Sequence, residues 1–331
     1  MFKDSVRIGK LRISPPLFLA PMAGLTHSAL RQLLLDFGGV GLLSTEMLSA
    51  SSLPHENPQV SPYLLRTERE RPISYQLLIH SIEHADRAIE KVTGLGADAI
   101  DINLGCSAPK VVKKGGGLGL CQDEKRLKEI VSYIRKRTQT PLTAKIRLGP
   151  GPDVEPLLRR CQLLQDLGID AIYVHARFDK EPFARPARWN LAACAKRVLS
   201  IPFILNGGIF TLEDAKKCFE ITGADGLMIG RGAAVRPWLF RDIENGLFHD
   251  KEEACSLPDL ERVWLGFFGY LQKLFPKERQ LGRLKEFTHY FSQNFAFGNR
   301  LAMSVQRSKT MDEAKVRALD FFRKNLCATA T

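Results

Sequence analysis

The chain has 331 residues, 44% of them hydrophobic, with a formal net charge of +12 and a pI near 9.4. That length holds one large domain and a smaller one, and the apolar content is ordinary for a soluble globular protein. The basic excess goes beyond what solubility requires and points to a polyanion such as RNA, DNA or an acidic membrane, with a solvated basic surface as the plainer alternative. Seven cysteines (106, 121, 161, 194, 218, 255 and 327) lie scattered, odd in number and without a CxxC pair, which suggests a reducing cytoplasm. The first apolar run, 17–20, is broken by Pro16 and Pro21, so it serves neither as a signal segment nor as a membrane span. The sequence therefore reads as cytoplasmic and soluble, with no membrane and no metal expected, since no HExxH and no clustered Cys/His spacing occurs.

In chain order, short β-rich apolar runs alternate with longer amphipathic stretches from 17 to about 245. The predicted strands are LFLAP (17–21), GLLSTE (41–46), ISYQLLI (73–79), DAIDIN (98–103), LTAKIRL (142–148), DAIYVH (170–175), FILNGG (203–208) and DGLMIG (225–230). Predicted helices at 82–95, 124–138, 154–167 and 212–222 carry apolar residues at three- and four-residue spacing, and Thr211 with Asp214 forms an N-terminal cap for the last. Eight such units fit a (β/α)8 barrel better than an open doubly wound sheet. Residues 1–245 are accordingly expected to form the barrel and 246–331 a C-terminal all-α helical bundle, joined by the connector HDKEEACSLPDLE. Helices are predicted at 260–274, 280–295 and 311–326, with breaks near Pro276 and Gly298. Between Arg262 and Lys309 nine Lys or Arg face two acidic residues, interleaved with aromatics. The aromatics suit the core of the bundle, and the basic residues suit a phosphate-binding surface.

Four segments carry chemistry: APMAGLTHSALR (20–31), STEM (44–47), DINLGCSAPKVVKKGGGLGL (101–120), and NGGI with MIGRG (206–209, 228–232). Each follows a predicted strand and so falls on the C-terminal face of a barrel, where barrel active sites lie. Cys106 sits in a Gly-flanked loop, which suits a group that must approach a substrate. A thiol is mostly neutral at cell pH and can give a proton. Cys121 is the nearby alternative, although it falls where a helix should begin, while Cys161, Cys194 and Cys218 read as small buried hydrophobes. Lys145, inside an otherwise apolar run, needs a charged partner, either a ligand or a neighbouring strand. Asn206, Gly207 and Gly208, then Gly230 and Arg231, supply what a phosphate needs after strands seven and eight. GGGLG at 115–119 is not GxGxxG, so no dinucleotide-binding domain is expected.

The order and content of these segments resemble the tRNA-dihydrouridine synthases, flavin mononucleotide (FMN) enzymes with a (β/α)8 barrel and a helical domain that grips tRNA. The resemblance covers nearly the whole chain and rests on APMAG, TEM, N-x-GC, AKIRLG, VHAR, NGGI and IGRG. It implies that NADPH (or NADH) reduces the flavin, which passes a hydride to C6 of a uracil while Cys106 protonates C5. It places Pro21, Met22, Ala23, Gln76, Lys145, His175, Asn206, Gly207, Gly208, Gly230 and Arg231 on the flavin. Asn103 is expected at the substrate or the flavin edge, and Arg177, Arg283 and Lys285 on the RNA. His175 reads equally as a hydrogen-bonded structural residue. The family loop usually reads GCP where this chain has GCSAPK, with Ser107 in place of the proline, and His27 replaces a common Asp. Neither change removes a reacting group. Lys110, Lys113 and Lys114 fit either RNA phosphates or a solvated loop. A barrel flavoprotein acting on a free pyrimidine, akin to dihydroorotate dehydrogenases, explains the barrel residues but leaves the basic C-terminal domain unexplained; a non-catalytic RNA-binding protein is the rival from another class. A monomer is the default expectation, and the modified uridine, the class of RNA and the preferred nicotinamide stay open.

Overall fold

The computed structural model describes residues 2–182, 184–249 and 257–326. The chain opens with a hairpin of β1 (Val6–Ile8) and β2 (Leu11–Ile13), which its short runs do not announce. Eight parallel strands follow: β3 (Leu17–Leu19), β4 (Leu43–Ser49), β5 (Ile73–Leu78), β6 (Ala99–Asn103), β7 (Leu142–Arg147), β8 (Ala171–His175), β9 (Phe203–Asn206) and β10 (Gly226–Ile229). Their order is β3-β10-β9-β8-β7-β6-β5-β4. A parallel bridge from Phe18 to Leu42, with the Leu19 N–H donating to the Leu42 carbonyl at 2.9 Å, brings the two end strands together. The result is the (β/α)8 barrel read from the sequence, with each strand inside its predicted run or within a few residues of it.

Alternation along the strands sorts side chains into two layers. Leu17, Leu19, Tyr75, Ile100, Ile102 and Val174 point outward into a core shared with the helices. Phe18, Leu42, Ala171, Tyr173, Ile204 and Met228 point inward, and the hairpin adds Val6, Ile8 and Ile13 beneath them. The hairpin therefore seals the lower end of the barrel with apolar residues. Going up toward the C-terminal ends of the strands, the inward positions turn polar: Ser74 and Gln76 on β5, Asp101 and Asn103 on β6, Thr143 and Lys145 on β7.

The surrounding helices start where their caps direct. Ser81 accepts from the His84 N–H ahead of Ile82–Gly94, Asp123 accepts from the Arg126 N–H ahead of Glu124–Arg137, and Thr211 with Asp214 forms the capping box of Leu212–Thr222. A helix at Leu239–Phe248 runs past the expected boundary at 245, and most of the expected connector, 250–256, lies outside the described residues. Cys255 and Cys327 lie outside them as well.

Helices Leu260–Leu274, Lys277–Phe291, Gly298–Gln306 and Met311–Leu326 make up the C-terminal unit. Its aromatics are core, as the sequence suggests: the Phe267 and Phe287 rings stack at 3.8 Å, and buried Trp264 donates its indole N–H to Thr288 Oγ1 at 2.9 Å. Each such burial contributes about 1.5–3 kcal/mol. The breaks expected near Pro276 and Gly298 are present; the unannounced feature is that a further helix starts at Gly298, where a Cβ would fall inside the Ser292 carbonyl, so glycine permits the close approach. The unit is fastened to the barrel by Tyr270, whose hydroxyl donates to Asp36 Oδ2 at 2.6 Å, and by Asn294, whose amide donates to the Val235 carbonyl at 2.6 Å.

Candidate active site

The polar layer at the top of the barrel is organised around Asp101, which is 2% exposed. Gln76 Nε2 donates to Asp101 Oδ2 and Thr143 Oγ1 donates to Asp101 Oδ1, each at 2.7 Å. Asn103 Nδ2 donates to Gln76 Oε1 at 2.8 Å. Asn103 is the last residue of β6, and its Oδ1 accepts the backbone N–H groups of Gly105 and Cys106 at 3.2 and 2.9 Å. The loop that carries Cys106 is thus tied to the strand end by a side chain three residues back. Behind the loop the Cys106 carbonyl accepts from the Leu118 N–H at 2.9 Å, and Gly117, at φ +54°, leaves no room for a Cβ beside it.

Cys106 is half-buried and faces a cavity of about 690 Å³. Every residue expected on the flavin lines this cavity, and so do Asn103 and Arg177. Cys121, the alternative thiol, is buried in the short helix Leu118–Gln122, and burial pushes its pKa up to about 12. Cys161 and Cys218 are buried, as the sequence suggests; Cys194 is instead half-buried at the start of the short helix Cys194–Arg197, with Sγ donating to the Asn190 carbonyl at 3.8 Å.

At one end of the cavity the chain is held open by glycine. Gly207 and Gly208 adopt φ of +110° and +80°, a region that other residues avoid. A Cβ on Gly207 would come within 2.9 Å of His175 and 3.0 Å of Arg177. Arg177, 3% exposed, is fixed here by the Arg185 carbonyl, to which Nε and Nη2 donate at 3.0 and 2.7 Å. It therefore belongs with the glycine end of the cavity. Arg177 Nη1 lies 2.9 Å from His175 Nε2, and because a guanidinium only donates, that ring nitrogen accepts. Burial, then the charges of Lys145, Arg147, Arg177 and Arg231, hold His175 well below its ordinary pKa, so it is the neutral tautomer protonated on Nδ1. Asn206 donates to the Met228 carbonyl at 2.7 Å and ties β9 to β10 at the rim.

Lys145 points into the cavity from β7 and forms no ion pair among the described residues. Burial lowers its pKa to about 8, against the pull of Asp101 on the adjacent strand. The neighbouring-strand reading thus holds only as a through-space attraction. Arg147, two residues on and so on the same face, lines the same cavity and donates to the Phe178 and Glu181 carbonyls at 2.8 and 3.2 Å. Alternation alone could have singled it out beside Lys145.

Two further residues of the cavity wall, Glu286 and Tyr290, come from helix Lys277–Phe291. They lie one turn apart and face the barrel mouth, a phase that only packing sets. The same helix borders a second groove of about 880 Å³ beside the cavity, lined by Glu46, Tyr63, Arg279 and Arg283 and sharing Ala23, Met47 and Glu286 with it. Arg283 thus reaches the mouth region, with its guanidinium 4.6 Å from the centre of the Phe275 ring. Lys285 lines neither space. Lys110, Lys113 and Lys114 are exposed on and just after the short helix Pro109–Lys113, which follows the Cys106 loop. Among the described residues no helix is long and apolar enough to cross a membrane, and no group of His, Cys, Asp or Glu could hold a metal ion.

Comparison with solved structures bears on the fold. A 2-naphthoyl-CoA reductase complex superposes with a TM-score of 0.57 at 14% identity, over 73% of this chain and about half (52%) of that one. The old yellow enzyme homologue from Zymomonas mobilis superposes with a TM-score of 0.54 at 15% identity, over 81% of this chain and 98% of that one. Sequence relatives are nearer. A probable tRNA-dihydrouridine synthase 1 of Synechocystis sp. is 31% identical over 94% of this chain and 87% of its own length. A tRNA-dihydrouridine synthase B of Pseudomonas syringae is 34% identical over 79% and 78%, and a tRNA-dihydrouridine(16) synthase of Aquipseudomonas alcaligenes is 33% identical over 88% and 95%. The profile of the family described as Dihydrouridine synthase (Dus) matches residues 18–324. A match over that span means that this chain belongs to the dihydrouridine synthase family.

Proposed function

We propose that this protein is an FMN-dependent tRNA-dihydrouridine synthase that reduces the C5–C6 double bond of specific tRNA uridines. The observation that carries the reading is the placement of Cys106, held by Asn103 at the wall of a cavity whose far end is a glycine cradle flanked by Arg177 and Arg231. The residues fit a flavin mononucleotide. The cavity lies within the roughly 300–1,000 Å³ range of small-ligand sites, and the Gly207 backbone leaves a space that a Cβ would fill.

In this reading Gly207, Gly208, Gly230, Arg231 and Arg177 take the phosphate. Pro21, Met22 and Ala23 would hold the ring system, Gln76, Lys145 and His175 would meet its polar groups, and Asn206 ties the rim together. Bound flavin, kept reduced by NADPH or NADH, supplies the hydride for C6. Cys106 gives its Sγ proton to C5 and is reprotonated from solvent, and Asn103 holds the loop that carries it. Lys145, with a pKa near 8, stands ready to neutralise negative charge in the cavity.

The RNA is taken to enter between the barrel and the helical unit, since Glu286 and Tyr290 border the cavity and Arg279 and Arg283 the groove beside it. The C-terminal unit, beginning after helix Leu239–Phe248, is then the tRNA-binding domain of a monomer acting in the cytoplasm. The test is nucleoside mass spectrometry on unmodified tRNA incubated with the protein, FMN and NADPH, with free uridine and Cys106→Ala in parallel. Gain of two hydrogens on particular tRNA uridines, absent with free uridine, is the expected result. Reduction of the free pyrimidine, or no gain despite bound and reducible flavin, would overturn it.

A further inference from the structure

The hydrogen bonds beneath Cys106 run in one direction, and that direction has a cause at each end. The Gly105 and Cys106 N–H groups can only donate, so they require the Asn103 side chain to present its oxygen. Its nitrogen then faces Gln76, which must answer with its own oxygen at 2.8 Å. That leaves the Gln76 nitrogen facing β6 again, where Asp101 accepts at 2.7 Å. An ionised carboxylate only accepts, so it fits this sense and no other. Thr143 spends its hydroxyl proton on the second oxygen of Asp101 at 2.7 Å and holds the carboxylate in plane for Gln76. Reversing either amide would set donors against donors in a buried site, which is costly. One N–H of each amide is left over, and both amides line the cavity.

We propose that Asp101 is a positioning residue for Cys106: its carboxylate fixes the facing of the Gln76 and Asn103 amides and, through them, the place where the Cys106 loop is held. Asp101 lies under the cavity floor, does not line the cavity and touches neither loop nor ligand space directly. Its hold on the Cys106 loop passes through the two amides; its attraction for Lys145 is a separate, through-space effect. The inference rests on the reading of Cys106 as the proton donor, and the test separates the two.

The test compares the FMN-loaded wild type with Asp101→Ala and Asp101→Asn. Three rates are measured: alkylation of Cys106 by iodoacetamide, reduction of the flavin by NADPH, and oxidation of reduced flavin by tRNA. Asp101→Ala should slow the tRNA-dependent step about 100-fold, the scale of a misplacement near 1 Å, and shift Cys106 alkylation about tenfold or more. Flavin reduction, which does not use the thiol, should stay within about threefold. Asp101→Asn can still accept from Gln76 while donating to Thr143 Oγ1, so it keeps the direction of the relay and should recover to within about tenfold of wild type. If Asp101→Ala does not fold, Gln76→Leu cuts the same relay one link nearer and should show the same shift in Cys106 alkylation. Wild-type alkylation and wild-type tRNA-dependent oxidation in Asp101→Ala would overturn the proposal. So would equal losses in both flavin half-reactions together with the melting temperature, because that pattern marks a general structural role. A wild-type protein that alkylates normally but never oxidises its flavin with tRNA would refute the functional reading and leave the alkylation comparison to decide the relay.

Discussion

The floor of the barrel cavity and the region around the adjoining groove both bury polar atoms, and they differ in how those atoms are linked. On the floor, Asp101, Gln76, Asn103 and Thr143 are linked to one another and Asn206 is tied to β10, while Ser74 Oγ and Tyr173 Oη are buried without a partner among the described residues. Around the groove, both ring nitrogens of His27, Oε1 of Glu46 and Nε of Arg283 are buried with no hydrogen-bond partner. His27, behind the groove wall, sits against the rings of Phe275 and Phe267 at 5.1 and 6.0 Å, and neither ring nitrogen has a hydrogen-bond partner among the described residues. Glu46 uses only its other oxygen, which accepts from the Gly24 N–H at 2.7 Å, and burial raises its pKa. A set linked by mutual hydrogen bonds and by contacts to the Cys106 loop holds its shape before any ligand arrives. An unpaired one costs about 1–3 kcal/mol per group. The linked set beneath Cys106 thus carries the rigid chemistry, and the junction with the helical unit carries less stable contacts.

The largest effect that tests this division is at Cys106. Cys106→Ala should lower dihydrouridine formation about 10²–10⁴-fold while the protein keeps its flavin absorbance, because the floor does not depend on the thiol. A variant with unchanged turnover would remove the chemistry from the cavity.

Next is Gly207→Ala, which forces a side chain onto a φ of +110° and against His175 and Arg177. A loss of about 1–3 kcal/mol in flavin affinity, measured by fluorescence titration, is expected. Unchanged affinity would mean that the phosphate end lies elsewhere.

The region around the groove should respond in the other direction. His27→Leu removes two unsatisfied nitrogens and should raise stability by about 1–2 kcal/mol, read from denaturant unfolding. Its pH signature is specific. Burial, followed by Arg283 and Arg31, holds folded His27 neutral well below its ordinary pKa, whereas the unfolded chain takes up a proton near pH 6.5. Stability from this group is therefore present above about pH 6.5 and is lost as the pH falls below it. His175 has the same sign, so His27→Leu should flatten the acid limb of the stability curve without abolishing it. A wild-type slope in the variant would show that the ring is solvated.

The smallest effect is electrostatic. Arg279→Glu, on the exposed rim of the groove, should weaken tRNA binding by about 1 kcal/mol and reduce the salt slope by about 1. Lys285→Glu, outside both spaces, should change it less. Equal effects would mean that RNA crosses the helix on a broader face.

Much of the barrel is legible in the sequence because a strand in such a barrel is local. Runs such as LTAKIRL declare their length, and alternation puts Thr143, Lys145 and Arg147 on one face whatever the rest of the chain does. The Cys106 loop is legible for the same reason, since Asn103 reaches its N–H groups across only three residues. The hairpin at 6–13 is not, because three-residue strands carry too little pattern and gain their burial only when the barrel stands above them. The break near Gly298 is legible, but the helix Gly298–Gln306 that starts there is not, because its first residue is fitted to the Ser292 carbonyl, which no count of residue types reveals.

The sequence by itself determined the strand runs, the inward and outward faces, the glycine turns and the thiol in its loop, since each follows from backbone geometry over a few residues. Tertiary structure alone decided that Asp101 reaches Cys106 through Gln76 on a different strand. It also decided that Arg283, and not Lys285, turns toward the mouth, and that Glu286 and Tyr290 help to close it. These depend on strand register and on the rotation of a helix against the barrel, which are set by how aromatic side chains such as Phe267 and Phe287 pack between distant segments.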